Sequence, residues 1–459
     1  MKQMILKYFN HLLGALILGL MLASCVKSDY VNRDPSKDAQ IYSFTITSQN
    51  DSNSYFSESK FSIDQINGRI FNRDSLPYLF NVDSISVSIG GGSNSGFSNI
   101  EVKLRDADST YSWNGKDSIA LHRLKSIETT AEDGKSKIKY EISINIHQQD
   151  PYIFNWTKID ENYISSSVDE QKTVSFKNKF ITYYNIGGDI RAASSSEGAS
   201  WSNHVVTGLP VGAKVSSIIA AMNSQESMLY CVDDNGKLYH SDNGIEWTQI
   251  SSDFPIYAIY GELPFVTGEH AILLAVEHGG EVKFASTDDF VTYNVLNGLK
   301  EDMPIMDFSS ISIKNPKEYA SKYIIVCSGV DMDDSVNKKL WILQMKDGEI
   351  ATIAEKMSMN SAEGRLFLYD DNVYMFVPEM VTDEDNKVSY VNKFYFSANY
   401  GLTWKWGGEN QTVDEDFLYR TKASVITDAD NFMWIFGGES RSDEQIVDVW
   451  RGRLNKLAK

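Results

Sequence analysis

Four stretches in the C-terminal two-thirds of the chain share one pattern. They are Ser194–Trp201 (SSSEGASW), Ser241–Trp247 (SDNGIEW), Ser286–Tyr293 (STDDFVTY) and Ser397–Trp404 (SANYGLTW). Aligned at Gly198, Gly244, Phe290 and Gly401, each is followed three residues later by an aromatic: Trp201, Trp247, Tyr293 and Trp404. The separations are 46, 46 and 111 residues, the last being about two periods. Such a turn has a plain physical job. A short polar side chain ties a hairpin, glycine takes the left-handed conformation at no steric cost, and the aromatic packs beneath. A unit of about this length that recurs must bury its faces against its own copies.

The pattern resembles the Asp-box, Ser-x-Asp-x-Gly-x-x-Trp, of sialidases and other β-propellers. Asp288 stands at the box acid position behind a correctly spaced serine. Asp242 stands there with its serine one place late, Ser196 and Asn399 replace the acid elsewhere, and Phe290 replaces one glycine. The box is a structural device rather than a catalytic one. Two further units lack it. One is the hairpin through Leu340–Glu349, turning at Asp347-Gly348. The other runs through Met433–Gly438 and Val449–Leu454, where Gly437, Gly438 and Trp450 are similar to a kelch blade. Six units between about residue 176 and the C-terminus predict a six-bladed propeller over 166–459. Ring closure would pair Val174–Phe176 or Phe180–Tyr184 with the C-terminal strands, leaving few open edges.

Residues 39–150 read differently. Apolar residues alternate with polar ones at Ile85, Val87 and Ile89, at Ile100, Val102 and Leu104, and at Ile138, Tyr140, Ile142, Ile144 and Ile146. That period marks strands with one buried face. Asn67-Gly68 reads as a two-residue hairpin turn. About six short strands predict an immunoglobulin-like or cadherin-like β-sandwich. The richness in Tyr (24) and Phe (22) against 9 Pro supports an all-β chain. Residues 151–165 are expected to link the domains, with Trp156 packed between them. The stretch Phe61–Tyr78 is similar to a segment of Bacteroidetes-type surface lipoproteins. There it opens a β-sandwich ahead of a propeller-like domain, and it implies location and architecture but no reaction.

The N-terminus reads as a targeting segment, 1–24. Lys2 and Lys7 precede an apolar run from Leu12 to Ala23, which is short for a membrane span but suits a signal-peptide core. It ends in Leu22-Ala23-Ser24-Cys25, which resembles the bacterial lipobox. Cys25 is therefore expected to carry the lipid, residues 25–38 to form a polar tether, and the membrane to be a partner through that lipid. Lys27-Ser28-Asp29 lacks an inner-membrane sorting Asp at the second mature position, so an outer-membrane location is expected.

A net charge of −19 without a basic stripe excludes nucleic acid as a partner. Cys231 and Cys327 sit in apolar runs and read as free core thiols. The acidic clusters at 331–334, 383–386, 414–416 and 428–431 lack the spacing of a calcium loop and read as solvated hairpin tips. The seven histidines show no metal-ligand spacing, and no nucleophile elbow or phosphate loop occurs. The Phe/Tyr-Arg-Ile-Pro motif and the arginine and Tyr–Glu set of a sialidase are missing, and Arg191 reads as a strand-surface residue. No catalytic residue, metal ligand or cofactor is thus assigned. The expectation is a lipid-anchored binding protein whose propeller loops recognise a glycan or a protein. Two alternatives stand beside it: a divergent carbohydrate-active enzyme, and a structural subunit of an outer-membrane complex. Acids and arginine converging in the central funnel would favour the enzyme, whereas a funnel plugged by aromatic rings would disfavour it.

Overall fold

Strands with one covered face alternate apolar and polar residues, as in Ser43–Thr47, whereas strands covered on both faces, such as Ser227–Val232 and Met433–Phe436, are continuously apolar or buried. The computed structural model describes residues 34–457, apart from 48–58, 79–81, 83–84, 93–95, 166–167, 224–225, 265–269, 315–321 and 384. Cys25 and the predicted signal segment lie outside the described residues. No α-helix occurs among the described residues. The chain divides into two units, the first ending at Gln148 and the second beginning at Gln149.

In the first unit a six-stranded sheet runs in the order Phe61–Asp64, Arg69–Asn72, Lys137–Ser143, Leu124–Ala131, Phe97–Leu104, Thr110–Ser112. A ribbon of Ser43–Thr47 and Ser86–Gly90 accompanies it. Phe44, Ile46 and Val87 of the ribbon share one core with Ile70, Val102, Ile127 and Tyr140 of the large sheet. The strands therefore divide six and two, and Arg69–Asn72 pairs in parallel with Lys137–Ser143. An immunoglobulin-like sandwich divides more evenly and pairs antiparallel. The Asn67-Gly68 hairpin also differs from the expected two-residue turn. Its loop is Gln65–Gly68, because the Asp64 carboxylate accepts the N–H groups of Ile66 (3.1 Å) and Asn67 (3.0 Å) and starts the turn early. Ile66, left outside the strand, is 94% exposed.

Among its described residues the second unit contains six four-stranded antiparallel sheets. The first four are built from 170–205, 219–250, 256–298 and 306–356, and the fifth from 365–406. The sixth joins Ser424–Thr427, Met433–Phe436 and Val449–Leu454 to Phe154–Asp160. Each innermost strand lies beside the next, and the sixth lies beside the first, so the sheets close into a ring. This is a β-propeller. Neighbouring inner strands are tied by side chains: Thr173 N–H donates to Ser424 Oγ (2.9 Å), and Leu366 N–H to Ser309 Oγ (2.8 Å).

Closure differs from the sequence expectation. The strands 170–176 and 179–186 belong to the first sheet, and the chain's return strand is Phe154–Asp160, inside the expected linker. Trp156 packs inside the second unit. Its ring stacks on Phe394 (5.8 Å, 13°) and lies against Gly452, and its Nε1–H donates to Thr412 O (2.7 Å). A side chain at Gly452 would collide with that ring, which is why the position is glycine.

Candidate functional site

The four recurring turns all connect the third and fourth strands of a sheet: the first, second, third and fifth. In each, a hydroxyl accepts the N–H of the aligned residue at 2.8 Å. The pairs are Ser195 with Gly198, Ser241 with Gly244, Thr287 with Phe290, and Ser397 with Gly401. All four aligned residues have positive φ (76°, 82°, 56° and 94°). Three of the four aromatics donate back to that residue's carbonyl: Trp201 to Gly198 (2.9 Å), Tyr293 to Phe290 (3.1 Å) and Trp404 to Gly401 (3.0 Å).

Asn399 ties the Gly401 turn from the expected position, accepting the Thr403 N–H (2.9 Å), but in the second and third sheets the acid register is corrected by one place. Asn243 Oδ1 accepts the N–H groups of Ile245 and Glu246 (2.8 and 2.9 Å), and Asp289 Oδ1 those of Val291 and Thr292 (both 2.8 Å). The Thr292 and Val291 N–H bonds hold the Asp289 carboxyl below the usual range. Asp242 and Asp288 are exposed, and among the described residues their carboxylates tie no turn; the Asp242 backbone carbonyl accepts from Lys177 Nζ (2.7 Å).

Each turn also packs on the preceding sheet around the ring. A Cβ on Gly198 would meet Trp434 of the sixth sheet, one on Gly244 would meet Ile181 of the first, and one on Gly401 would meet Ile325 of the fourth. Phe290 stacks on Tyr230 of the second sheet (4.4 Å, 29°). The turn is therefore a stitch between sheets. Two sheets lack it for geometric reasons. The fourth turns tightly at Asp347-Gly348, both at positive φ. The sixth takes its outer strand from the other end of the unit.

Gly437, Gly438 and Trp450 surround a buried ion pair. Arg420 is fully buried and pairs with Asp448; Arg420 Nη1 also donates to Gly437 O (3.0 Å), and Trp450 Nε1 to Asp448 Oδ2 (2.9 Å). Sequence reading did not find this pair, because 28 residues separate its members.

The inner strands enclose a cavity of about 400 Å³. Its lining includes Glu170 and Lys172 of the first sheet, Lys214 before the second, Asp307 of the fourth, Arg365 of the fifth, and Lys422 before the sixth. Asp307 and Lys422 are exposed, whereas Glu170, Lys172 and Arg365 are half-buried. Two aromatic rings, Tyr257 and Phe308, reach it, so it is not plugged by rings. Ser216 N–H donates to Glu170 Oε1 (2.8 Å), and Lys172 Nζ donates to Ser216 O. Arg365 Nη1 donates to Ser328 Oγ (3.0 Å) and Gly364 O (3.2 Å). Burial and the neighbouring Arg365 charge bring Lys172 down to about 8, against the pull of Glu170 and Asp307. Burial raises Glu170, with Asp307 adding to the rise and the Ser216 N–H opposing it. Such mutual shifts mark groups that share one electrostatic site. No group of three or more metal-ligating side chains assembles among the described residues.

A two-domain all-β chain with a closed propeller and a charged central cavity is the class defined by this geometry. Residues 150–458 match the family described as DUF6242 beta propeller domain, and residues 34–144 match its partner, the DUF6242 N-terminal domain. The chain belongs to the DUF6242 family. No curated protein matches the sequence. Among solved structures, the chain is similar to a protein of unknown function from Dyadobacter fermentans DSM 18053. The identity is 10% and the TM-score 0.44, with 65% of this chain and 99% of that one covered. It is also similar to an α-L-arabinanase from Penicillium chrysogenum complexed with arabinobiose, at 10% identity and a TM-score of 0.41, covering 66% and 98%. Likenesses this distant carry no argument about activity.

Proposed function

We propose that this chain is a lipid-anchored binding protein of the bacterial outer membrane, of the Bacteroidetes surface-lipoprotein type, whose propeller recognises a glycan or a protein. The anchor rests on the sequence Leu22-Ala23-Ser24-Cys25 and the apolar run before it. The six sheets are read as six blades, the four stitched turns as degenerate Asp-boxes, and the Gly437–Trp450 region as kelch-like. The observation that carries the binding reading is the cavity. A ring of inner strands converges on about 400 Å³ with charged groups from at least four sheets or the turns before them. That volume suits one or two sugar residues or a peptide side chain. A glycan array probed with residues 26–459 tests it. Enrichment of one glycan class is expected, and a silent array with no co-purified protein partner counts against it. Cys25→Ser should move the protein from the membrane to the soluble fraction; unchanged membrane retention would refute lipidation.

One observation favours the second reading, a divergent carbohydrate-active enzyme. Glu170, Asp307 and Arg365 converge on a cavity that rings do not fill. Two carboxylates on one site are the minimum for glycoside hydrolysis. Release of reducing sugar from array-positive glycans, lost in Glu170→Gln, would establish it. Unchanged glycans after prolonged incubation would leave binding alone.

A further inference from the structure

We propose that the central cavity takes a polyhydroxylated ligand bearing one carboxylate, an acidic sugar, with Arg365 and Lys172 gripping the carboxylate and Glu170 and Asp307 accepting hydroxyl groups. This deepens the binding reading above and rests on it.

The charge inventory points there first. Four cations line this cavity, Lys172, Lys214, Arg365 and Lys422, beside four acids, Asp169, Glu170, Asp307 and Glu439, so what matters is which cations are left without an acid. Lys422 is neutralised by Glu439 at 2.9 Å, and Lys214 faces Asp234 at 3.8 Å. Arg365 and Lys172 differ. Among the described residues their hydrogen-bond partners are neutral: the Ser328 hydroxyl and two backbone carbonyls. Both Arg365 bonds leave from Nη1. Its Nε and Nη2 edge donates to no protein group among the described residues, and that edge is the fork that matches a carboxylate bidentately. Ser328, which holds the other edge, is itself buried and donates to Cys327 O (2.6 Å), so the guanidinium is fixed from behind.

Arg365 and Lys172 also repel each other across the cavity, and an anion placed between them relieves that repulsion. Asp169 and Glu439 are engaged, by the Gly187 N–H (2.8 Å) and by Lys422, so Glu170 and Asp307 set the kind of anion. Glu170 and Asp307 would oppose a dianion such as phosphate but can accept hydrogen bonds from a ligand's hydroxyls. The small polar side chains of Ser309, Ser310 and Ser424 complete a lining of mixed donors and acceptors. A ligand with one carboxylate and several hydroxyls satisfies all of these groups, whereas a neutral sugar leaves the Arg365 fork unanswered.

The experiment is a calorimetric titration of the full chain, solubilised in mild detergent, with sodium glucuronate, N-acetylneuraminate, glucose and inorganic phosphate. At least one sugar acid should bind at least about tenfold more tightly than glucose and phosphate, and more weakly in high salt. Arg365→Met and Lys172→Met should each weaken it about tenfold or more. Arg365→Lys, which keeps the charge and loses the fork, should also weaken it. Melting curves confirm that the variants fold. The proposal is overturned if neither sugar acid binds, if glucose or phosphate binds as tightly, or if Arg365→Met and Arg365→Lys bind like wild type. An array positive for neutral glycans alone would overturn it while leaving the broader binding reading standing.

Discussion

Trp247 should tolerate conversion to phenylalanine better than its counterparts in the other turns, although it is the most deeply buried of them. It is 5% exposed, and its Nε1–H has no partner among the described residues. The carbonyl its counterparts use, that of Gly244, is taken by the Tyr183 hydroxyl at 2.6 Å. Tyr183 comes from the preceding sheet and meets the Trp247 ring edge-on (5.8 Å, 73°). A buried unsatisfied donor costs about 1–3 kcal/mol, and a made hydrogen bond contributes about 0.5–1.5 kcal/mol. Trp→Phe removes the same fused ring at each site. At Trp201 and Trp404 it also removes a bond to Gly198 or Gly401. At Trp247 it removes a penalty instead. Trp247→Phe should therefore cost about 2 kcal/mol less than Trp201→Phe or Trp404→Phe, while Trp247→Ala should still cost about 3–5 kcal/mol for the lost packing. Urea-unfolding midpoints followed by far-UV circular dichroism measure the series. A Trp247→Phe variant as unstable as the other two would show that the orphaned N–H costs nothing and that the turn chemistry has been misread.

Three further perturbations follow from the same structure. A chain beginning at residue 149 should give a cooperatively unfolding propeller. One beginning at residue 161 loses the outer strand of the sixth sheet and should aggregate or melt far lower, whereas equal melting would contradict closure by Phe154–Asp160. Arg420→Met strands the Asp448 carboxylate and should cost about 3–5 kcal/mol, and adding Asp448→Asn should recover part of it; an additive double variant would contradict the pairing. Lys172→Met should stabilise the fold at pH 7. Below about pH 8 the folded chain holds a lysine charge it disfavours, and that penalty fades as pH rises from 8 to 10.5, where both states become neutral. Melting temperatures across that range check it, and a gain that grows with pH would have the wrong sign.

What the residues reveal in advance depends on how local the physics is. The stitched turns are local, since a hydroxyl, a positive φ and an aromatic lie within eight residues, so their recurrence at 198, 244, 290 and 401 is legible. The register of their polar side chains is not. Ser194-Ser195-Ser196 and Asp242-Asn243 each offer several short polar groups, and only the backbone trajectory selects Ser195 and Asn243. The closing strand Phe154–Asp160 hides for another reason. As the outermost strand it buries little beyond Phe154, so no alternation announces it. The cavity is the least legible part. Glu170, Lys172, Arg365 and Lys422 are spread over some 250 residues, and ring closure alone brings them together.

The central assignment is that the ligand sits at the ring's axis. Hydrogen exchange of the full chain with and without a saturating concentration of whichever sugar acid binds tighter, glucuronate or N-acetylneuraminate, tests it most directly. Exchange should slow along 170–175, 306–310 and 422–426, with the outer strands unchanged. Slowing confined to the outer strands, or to the N-terminal unit, would place the ligand elsewhere and contradict it.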